Sequence, residues 1–187
     1  MMKTKDRILD VARKMIAEVG FHSTTTALLA QKAGISEGTI YRHFASKDDI
    51  LVTILDELDE RYSEFITQLK TEGDGHPGTI ERVLEANFKF VAEHLEGIKI
   101  VLSSFALLPP SRRSMNSVID RMRTFAAESI VRSMELGVIR QVDPERTAMV
   151  LVALLLGLLE LRLYWPENTD INAEAVAFCR QALVKIQ

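Results

Sequence analysis

Apolar residues recur at helical spacing along most of the chain, and no stretch alternates between apolar and polar residues as a half-buried strand does. The first helix carries its apolar stripe on Ile8, Leu9, Ala12, Ile16 and Val19. Gly20 then suits the position after a last helical turn. Three threonines at 24–26 can cap a short second helix over Ala27–Lys32, and Ser36 can cap a third. The pattern therefore predicts three short helices at the start of the chain.

Longer helices follow, beginning with a fourth from about Lys47 to Lys70 that is opened by a serine cap at Ser46. A break at 72–78, rich in glycine, precedes the remaining helices. These are predicted over Thr79–Glu96, about Ile98–Leu108 (stopped by Pro109-Pro110), about Ser111–Leu136, Pro144 to near Tyr164, and Asn172–Ile186. We expect an all-α fold of about nine helices, with one domain over 1–47, a second over 48–187, and helix four linking them.

Composition excludes several classes of protein. The chain has 187 residues, of which 47% are hydrophobic, so it can bury a sizeable core and is not intrinsically disordered. Its one cysteine, Cys179, cannot form an internal disulfide, and the first residues do not follow the pattern of a secretory signal. We expect a cytoplasmic protein.

The formal charge of −3 conceals an asymmetry. Residues 1–47 hold eight basic and four acidic side chains, a net charge of +4, whereas 48–187 carry −7. A basic head on an acidic body indicates that the head meets an anionic partner such as nucleic acid.

The two short helices joined by residues 33–36 fit a helix-turn-helix, whose second helix enters the major groove of DNA. Ile35, Ile40 and Phe44 fall on one side of the third helix. The opposite side carries Glu37, Gly38, Thr39, Tyr41, Arg42 and His43. By pattern alone, an amphipathic helix with a solvated polar face fits this segment equally well.

The residues themselves favour DNA binding. Thr24-Thr25-Thr26, Leu29-Ala30, Ala33-Gly34-Ile35-Ser36, Gly38-Thr39-Ile40-Tyr41, His43-Phe44 and Ser46-Lys47-Asp48 closely resemble the DNA-binding domain of the TetR/AcrR family of transcriptional regulators. The resemblance implies that Thr25 or Thr26, Tyr41, His43 and Lys47 contact backbone phosphates. It also implies that Ser36, Glu37, Gly38, Thr39 and Arg42 lie nearest the bases. Beyond the first 48 residues only length, helical content and late apolar helices match.

Residues 148–159 form an uninterrupted apolar run of twelve, too short to span a bilayer. A helix that is apolar all round must be covered on every side, which a second copy of the chain can do. Ala153 and Gly157 would let another helix approach closely. The resemblance assigns the last two helices to a dimer interface, for which we select Ala153, Gly157, Val176, Cys179 and Leu183. The alternative is that both helices only fill the monomer core.

Helices four to seven are the candidate ligand chamber, since methionine and phenylalanine side chains line adaptable apolar cavities. The candidates are Tyr62, Asn87, Phe88, Val91, His94, Phe105, Met115, Met122 and Phe125. Asn87 and His94 are polar residues on an apolar stripe, and a protein or water partner is the alternative to a ligand. We expect Arg121 and Arg123 to be solvated, whereas an inward-turning arginine would indicate an acidic ligand.

We find no catalytic constellation and no cofactor motif. His76 has no metal-ligating partners at a recognisable spacing, and Cys179 lies in an apolar stripe typical of an inert core thiol. The sequence therefore predicts a non-enzymatic, homodimeric transcriptional regulator that binds double-stranded DNA at a palindromic operator. We expect a repressor that a small, apolar or amphipathic effector releases. The alternatives are a helical carrier or sensor of hydrophobic molecules without sequence-specific DNA binding, and a DNA-binding protein without an effector cavity.

Overall fold

The structure is a computed structural model that describes residues 3–72, 79–165 and 171–184. Within these ranges the chain forms nine helices. They are α1 (Thr4–Val19), α2 (Thr26–Ala33), α3 (Glu37–His43), α4 (Lys47–Thr71), α5 (Thr79–Glu93), α6 (Leu95–Ser104), α7 (Pro109–Glu135), α8 (Pro144–Tyr164) and α9 (Ile171–Leu183). The expected all-α fold is confirmed. His76 lies outside the described residues.

The chain divides into two compact units, and each of α4 and α7 contributes residues to both. Unit 1 comprises the residues up to Arg61 together with His94–Ser117. It extends past the domain boundary predicted at residue 47, because the first half of α4 buries Ile50, Leu51 and Ile54.

Within unit 1, α1 packs against α2 and α6. Gly97 on α6 is buried, and a Cβ built there would lie 3.4 Å from Cδ2 of Leu58 on α4. That distance is ordinary van der Waals contact, so α6 and α4 pack directly against each other at Gly97 and Leu58.

Unit 2 comprises Tyr62–Glu93 and the residues from Val118 onward. Here α5 packs against α9, and a core cluster joins α5, α7, α8 and α9. Its buried members are Leu84, Ala127, Ile130, Ile139, Ala148, Leu151, Cys179 and Leu183. These residues are far apart in sequence, so the core of unit 2 exists only once the helices have packed.

The helix boundaries between α5 and α7 differ from the predictions. The predicted fifth helix is interrupted at His94, so α5 ends at Glu93 and α6 begins at Leu95. The sixth helix ends at Ser104 instead of being stopped at Leu108 by the prolines, and Pro109 and Pro110 open α7. Proline is tolerated in a first helical turn, where its missing N–H would have no intrahelical acceptor.

No helix in the described ranges combines the length and apolar character needed to cross a bilayer. The apolar helix α8 instead has buried residues such as Ala148 and Val152 and exposed apolar residues such as Val150, which is 66% exposed.

Candidate nucleic-acid interface and cavity

Local capping interactions shape the turn between α2 and α3. The Thr25 hydroxyl accepts a hydrogen bond from the backbone N–H of Leu28 at the start of α2 (3.2 Å). Gly34 ends α2 in the left-handed conformation with φ 65° and ψ 39°, which costs glycine little. Ser36 accepts from the backbone N–H of Thr39 (3.2 Å) and opens α3. The predicted helix-turn-helix is therefore present, with α2 and α3 both capped and joined through Gly34.

The side chains of α3 divide between the core and the surface as the sequence pattern predicts. Ile40 and Phe44 are buried and Ile35 is half-buried. Of the seven predicted DNA-binding residues from Ser36 to His43, six are exposed and Thr39 is half-buried. The exposed ones are Ser36, Glu37, Gly38, Tyr41, Arg42 and His43. One surface therefore carries the hydroxyl, imidazole and guanidinium donors that can bind phosphates and base edges.

Hydrogen bonds fix several of these side chains. The Thr26 hydroxyl donates to Oε1 of Glu37 (2.5 Å) and lies 3.3 Å from the hydroxyl of Tyr41, which links the start of α2 to α3. Nη2 of Arg42 donates to Oγ1 of Thr39 (3.0 Å). Such contacts reduce the rotamer freedom that binding would otherwise have to remove.

Gly38 is exposed on this surface. A Cβ built there would have no neighbour closer than Oγ of Ser36, at 3.9 Å. Neither the backbone conformation nor the packing of this chain requires a glycine at this position. A glycine inside a helix lowers stability, so an approaching external surface is the physical reason that fits.

Lys47 stands at the start of α4, half-buried. Its Nζ donates to the backbone carbonyl of Phe21 (2.9 Å) and lies 4.2 Å from the centroid of the Phe21 ring. Ser46 accepts from the backbone N–H of Asp49 (3.1 Å), which confirms the predicted serine cap. Lysine carries three donor hydrogens, so the contact with Phe21 leaves the ammonium able to bind a phosphate.

A small cavity lies in unit 2, where the space between the lining side chains amounts to about 480 Å³ when the adjoining open solvent is included. Four predicted pocket residues line it: Tyr62, Asn87, Met122 and Phe125. The sequence analysis did not select the other lining residues, which are Ile66, Val83, Leu84, Ala126, Ser129, Ile130, Leu151, Val152 and Leu155. Several of these residues lie on the same helix face as a predicted one, as Ala126 and Ser129 do with Met122. Helical spacing could therefore have identified them from the sequence.

The polar side chains Tyr62 and Asn87 meet at this cavity. The Tyr62 hydroxyl donates to Oδ1 of Asn87 (3.1 Å), and Nδ2 of Asn87 donates to the carbonyl of Val83 (2.8 Å). Burial raises the pKa of the Tyr62 hydroxyl far above its usual range. The phenol therefore remains protonated, as its donor role requires.

The other five predicted pocket residues do not line this cavity. Phe88 packs against the core cluster, and Val91 is half-buried on α5. The remaining three belong to unit 1, where His94 precedes α6, Phe105 is 39% exposed and Met115 is buried. The apolar stripes of α5 to α7 pack into the cores of two different units. The position of a residue in a stripe does not show which of the two cores it joins.

Neither arginine considered in the sequence analysis lines the cavity. Nη1 of Arg121 donates to Oγ of Ser63 (3.0 Å), and Arg123 pairs with Glu145. An acidic ligand was expected only if one of these arginines turned into the chamber, and the described lining residues include no arginine.

The structure corrects part of the predicted dimer surface. Cys179 and Leu183 lie in the core cluster of their own chain, where they are 3% and 5% exposed, and Val176 packs against that cluster. Cys179 and Leu183 are buried inside unit 2 and therefore offer no surface to a second copy, whereas Val176 is half-buried. Ala153 and Gly157 are exposed on α8. The sequence analysis missed Phe178, which is 67% exposed.

In the described part of the chain, no three histidine, cysteine, aspartate or glutamate side chains are arranged to hold a metal ion. The Cys179 thiol is buried, and burial raises its pKa. A buried thiol with a raised pKa is a poor nucleophile.

Comparison with known proteins relates the first third of the chain to one family. Residues 8–54 match the model of the bacterial regulatory proteins of the tetR family. This match spans α2, α3 and the turn between them.

Individual relatives extend the likeness along the chain. The chain is 28% identical over 163 residues to the uncharacterized HTH-type transcriptional regulator YhgD of Bacillus subtilis (strain 168), a match covering 83% of this chain and 82% of YhgD. To YvkB, an uncharacterized HTH-type transcriptional regulator of the same organism, it is 36% identical over 74 residues, covering 40% of this chain and 38% of YvkB. Both relatives are named as transcriptional regulators.

The likeness in three dimensions covers nearly the whole chain. The crystal structure of a protein from Saccharomonospora viridis in complex with choline has a TM-score of 0.84 and 25% sequence identity, and the superposition covers 97% of this chain and 98% of that one.

Proposed function

We propose that this chain, a member of the TetR family of DNA-binding transcriptional regulators, is a repressor that binds a palindromic operator as a homodimer. A small, largely apolar effector bound in unit 2 releases it. Because its target is genomic DNA, we propose that it acts in the cytoplasm. The observation that carries DNA binding is the surface of α3, where fixed polar donors surround the bare backbone of Gly38.

The DNA-facing residues would make two kinds of contact, one with phosphates and one with bases. Thr25, Thr26, Tyr41, His43 and Lys47 bind phosphates, and Ser36, Glu37, Gly38, Thr39 and Arg42 lie nearest the bases. The carboxylate of Glu37, held by Thr26, can accept a hydrogen bond from a cytosine amino group. At the first position of α3 it also interacts favourably with the helix dipole.

Dimerisation supplies the second recognition helix. Two copies related by twofold symmetry present their α3 helices about 34 Å apart, one turn of the double helix. The exposed apolar residues of α8 and α9 support this step. They are Met149, Val150, Ala153, Leu161, Ile171 and Phe178.

Phe178→Glu tests the dimer. It would bury a charge in the proposed interface, so we expect sedimentation to show monomers at concentrations where the parent chain is dimeric. Ser103→Glu, which places the same charge on an exposed position of α6, should leave the dimer intact. A Phe178→Glu protein that remains dimeric would rule out this face.

Helix α4 connects effector and operator in the proposed mechanism. Tyr62 and Ile66 of α4 line the cavity, and Lys47 lies at its first turn. An effector that tilts α4 changes the separation of the two recognition helices. By linkage, operator DNA must then weaken effector binding by the same factor, typically about 1 to 3 kcal/mol.

The direct test selects bound duplexes from a random pool and measures affinity for the selected site against salt concentration. A dimer that neutralises several phosphates should give a steep negative slope of log K against log salt. A recovered palindrome with half-sites one helical turn apart would support the proposal. Failure to select any sequence, or a flat response to salt, would refute it.

A further inference from the structure

The cavity of unit 2 carries no charged side chain among its described lining residues. A formal charge transferred from water into such a cavity loses its hydration and gains no counter-charge. Arg121 and Arg123 are engaged elsewhere, with Ser63 and Glu145 respectively. The cavity therefore disfavours anionic ligands.

The aromatic side chains nearby do not form a cage for a cation. Tyr62, Phe65 and Phe90 pack on one another, with ring centroids 4.9 to 5.6 Å apart. Of the three, only Tyr62 lines the cavity. Quaternary ammonium recognition needs several open ring faces around the cation, so this cavity differs from what a choline site requires.

Tyr62 and Asn87 determine which uncharged groups the cavity accepts. The Nδ2 bond to Val83 identifies the other amide atom as the acceptor, so the Tyr62 hydrogen points to Oδ1 of Asn87. The Tyr62 oxygen keeps its lone pairs, and Nδ2 of Asn87 keeps a second hydrogen. A ligand hydroxyl can donate to the first and accept from the second.

We propose that the ligand of this cavity is an uncharged molecule with an apolar body and one hydroxyl group, which binds at Tyr62 and Asn87. Its role as the effector rests on the function proposed above, whereas its chemistry rests on the cavity alone.

Four matched probes test the inference by calorimetry at pH 7 without DNA. They are 4-pentylphenol, pentylbenzene, 4-pentylbenzoate and (4-pentylphenyl)trimethylammonium, which share one apolar body. We expect the phenol to bind about 3- to 10-fold more tightly than pentylbenzene, the gain of one neutral hydrogen bond. Both charged probes should bind at least about tenfold more weakly than the phenol.

Tyr62→Phe removes the hydroxyl and keeps the ring. We expect it to reduce the advantage of the phenol over pentylbenzene, because one of the two partners of the ligand hydroxyl is lost, while the affinity for pentylbenzene changes less than about twofold. Thr67→Val is the matched control, since it removes a hydroxyl that bonds only to Ser63 on the exposed side of α4. It should preserve the full ranking of the four probes. If Tyr62→Phe does not fold, the ranking on the unaltered protein still decides the question.

Equal or tighter binding of a charged probe, or no binding of any probe, overturns the inference. So does a Tyr62→Phe protein that weakens the phenol and pentylbenzene equally. A separate titration of the operator complex with 4-pentylphenol tests the function. If the phenol binds with the expected ranking and leaves operator affinity unchanged, the cavity chemistry stands and effector-controlled release fails.

Discussion

The surface of unit 1 that we propose to face DNA and the cavity of unit 2 are built in opposite ways. Most contacts of the surface are caps and hydrogen bonds within the helix-turn-helix, such as Ser36 with Thr39, although Lys47 also donates to the distant Phe21 carbonyl. The cavity draws its walls from α4, α5, α7 and α8, more than 80 residues of chain. We therefore expect mutations on the surface to change the affinity for DNA, and mutations in the cavity wall to change the free energy of unfolding.

The largest effect should follow from a change in the cavity wall. Leu84 lines the cavity, belongs to the core cluster and is 2% exposed. We expect Leu84→Ala to lower the free energy of unfolding by about 2 to 5 kcal/mol, through lost burial and an enlarged void. Urea denaturation measures this. Leu107→Ala, at a side chain 72% exposed, should change it by less than about 0.5 kcal/mol, and equal losses would contradict the contrast.

A change on the DNA-facing surface should instead affect binding. Replacing Tyr41 and Lys47 together by alanine removes two proposed phosphate contacts, so we expect affinity for every duplex to fall by about 10- to 100-fold, with a shallower salt dependence. Fluorescence anisotropy across several salt concentrations measures both quantities. Thermal melting shows whether the loss of the Lys47 contact with Phe21 disturbs the fold.

The matched control is Lys14→Ala, which removes a cation that pairs with Asp10 on α1 (3.0 Å). It should leave the affinity almost unchanged. An effect of the double replacement that is confined to one DNA sequence would contradict the phosphate role of Tyr41 and Lys47.

Two glycines of the same motif should respond with opposite signs. Gly34 has a positive φ, so Gly34→Ala should destabilise the chain by about 1 kcal/mol. Gly38 lies in a helix with open space around it, so Gly38→Ala should stabilise the free protein by about 0.5 to 1 kcal/mol. It should also weaken operator binding on the order of tenfold, comparable to one mismatched base pair. Melting and anisotropy on both variants provide the check, and unaltered DNA affinity in Gly38→Ala would remove the argument for close backbone approach.

The smallest effect concerns Cys179. Since burial raises the pKa of its thiol above the ordinary value, the thiolate fraction at pH 7 to 8 is lower in the folded chain than in the unfolded one. We expect almost no reaction with a thiol reagent in the native protein and complete reaction in urea. Rapid native labelling would show that the α9 stripe is accessible after all.

The parts of the fold that the sequence predicted depend on local rules. The stops and caps at Gly34, Ser36 and Ser46 act within a few residues, so their identities were sufficient to place α2, α3 and the start of α4. The same holds for the division of α3 into a buried side at Ile40 and an exposed side at Tyr41. Helical periodicity determines which residues share a face.

Helical periodicity does not determine which neighbouring element covers a given face. The wrong predictions for the dimer surface and the cavity have this cause. The α9 stripe containing Cys179 and Leu183 was interpreted as a surface for a second copy, yet it packs inside unit 2 and leaves Phe178 exposed. Phe105 and Met115 were grouped with the cavity although they belong to unit 1.

The helices, the helix-turn-helix and the positive charge of residues 1–47 could be predicted because caps, short-range hydrogen bonds and charge depend on neighbouring residues. The packing of separate helices brings Tyr62 and Asn87 together at a cavity whose described lining residues are uncharged, and it leaves Phe178 of α9 exposed. The contact between Tyr62 and Asn87 joins residues 25 positions apart. Their geometry depends on how whole helices pack, which no local pattern specifies.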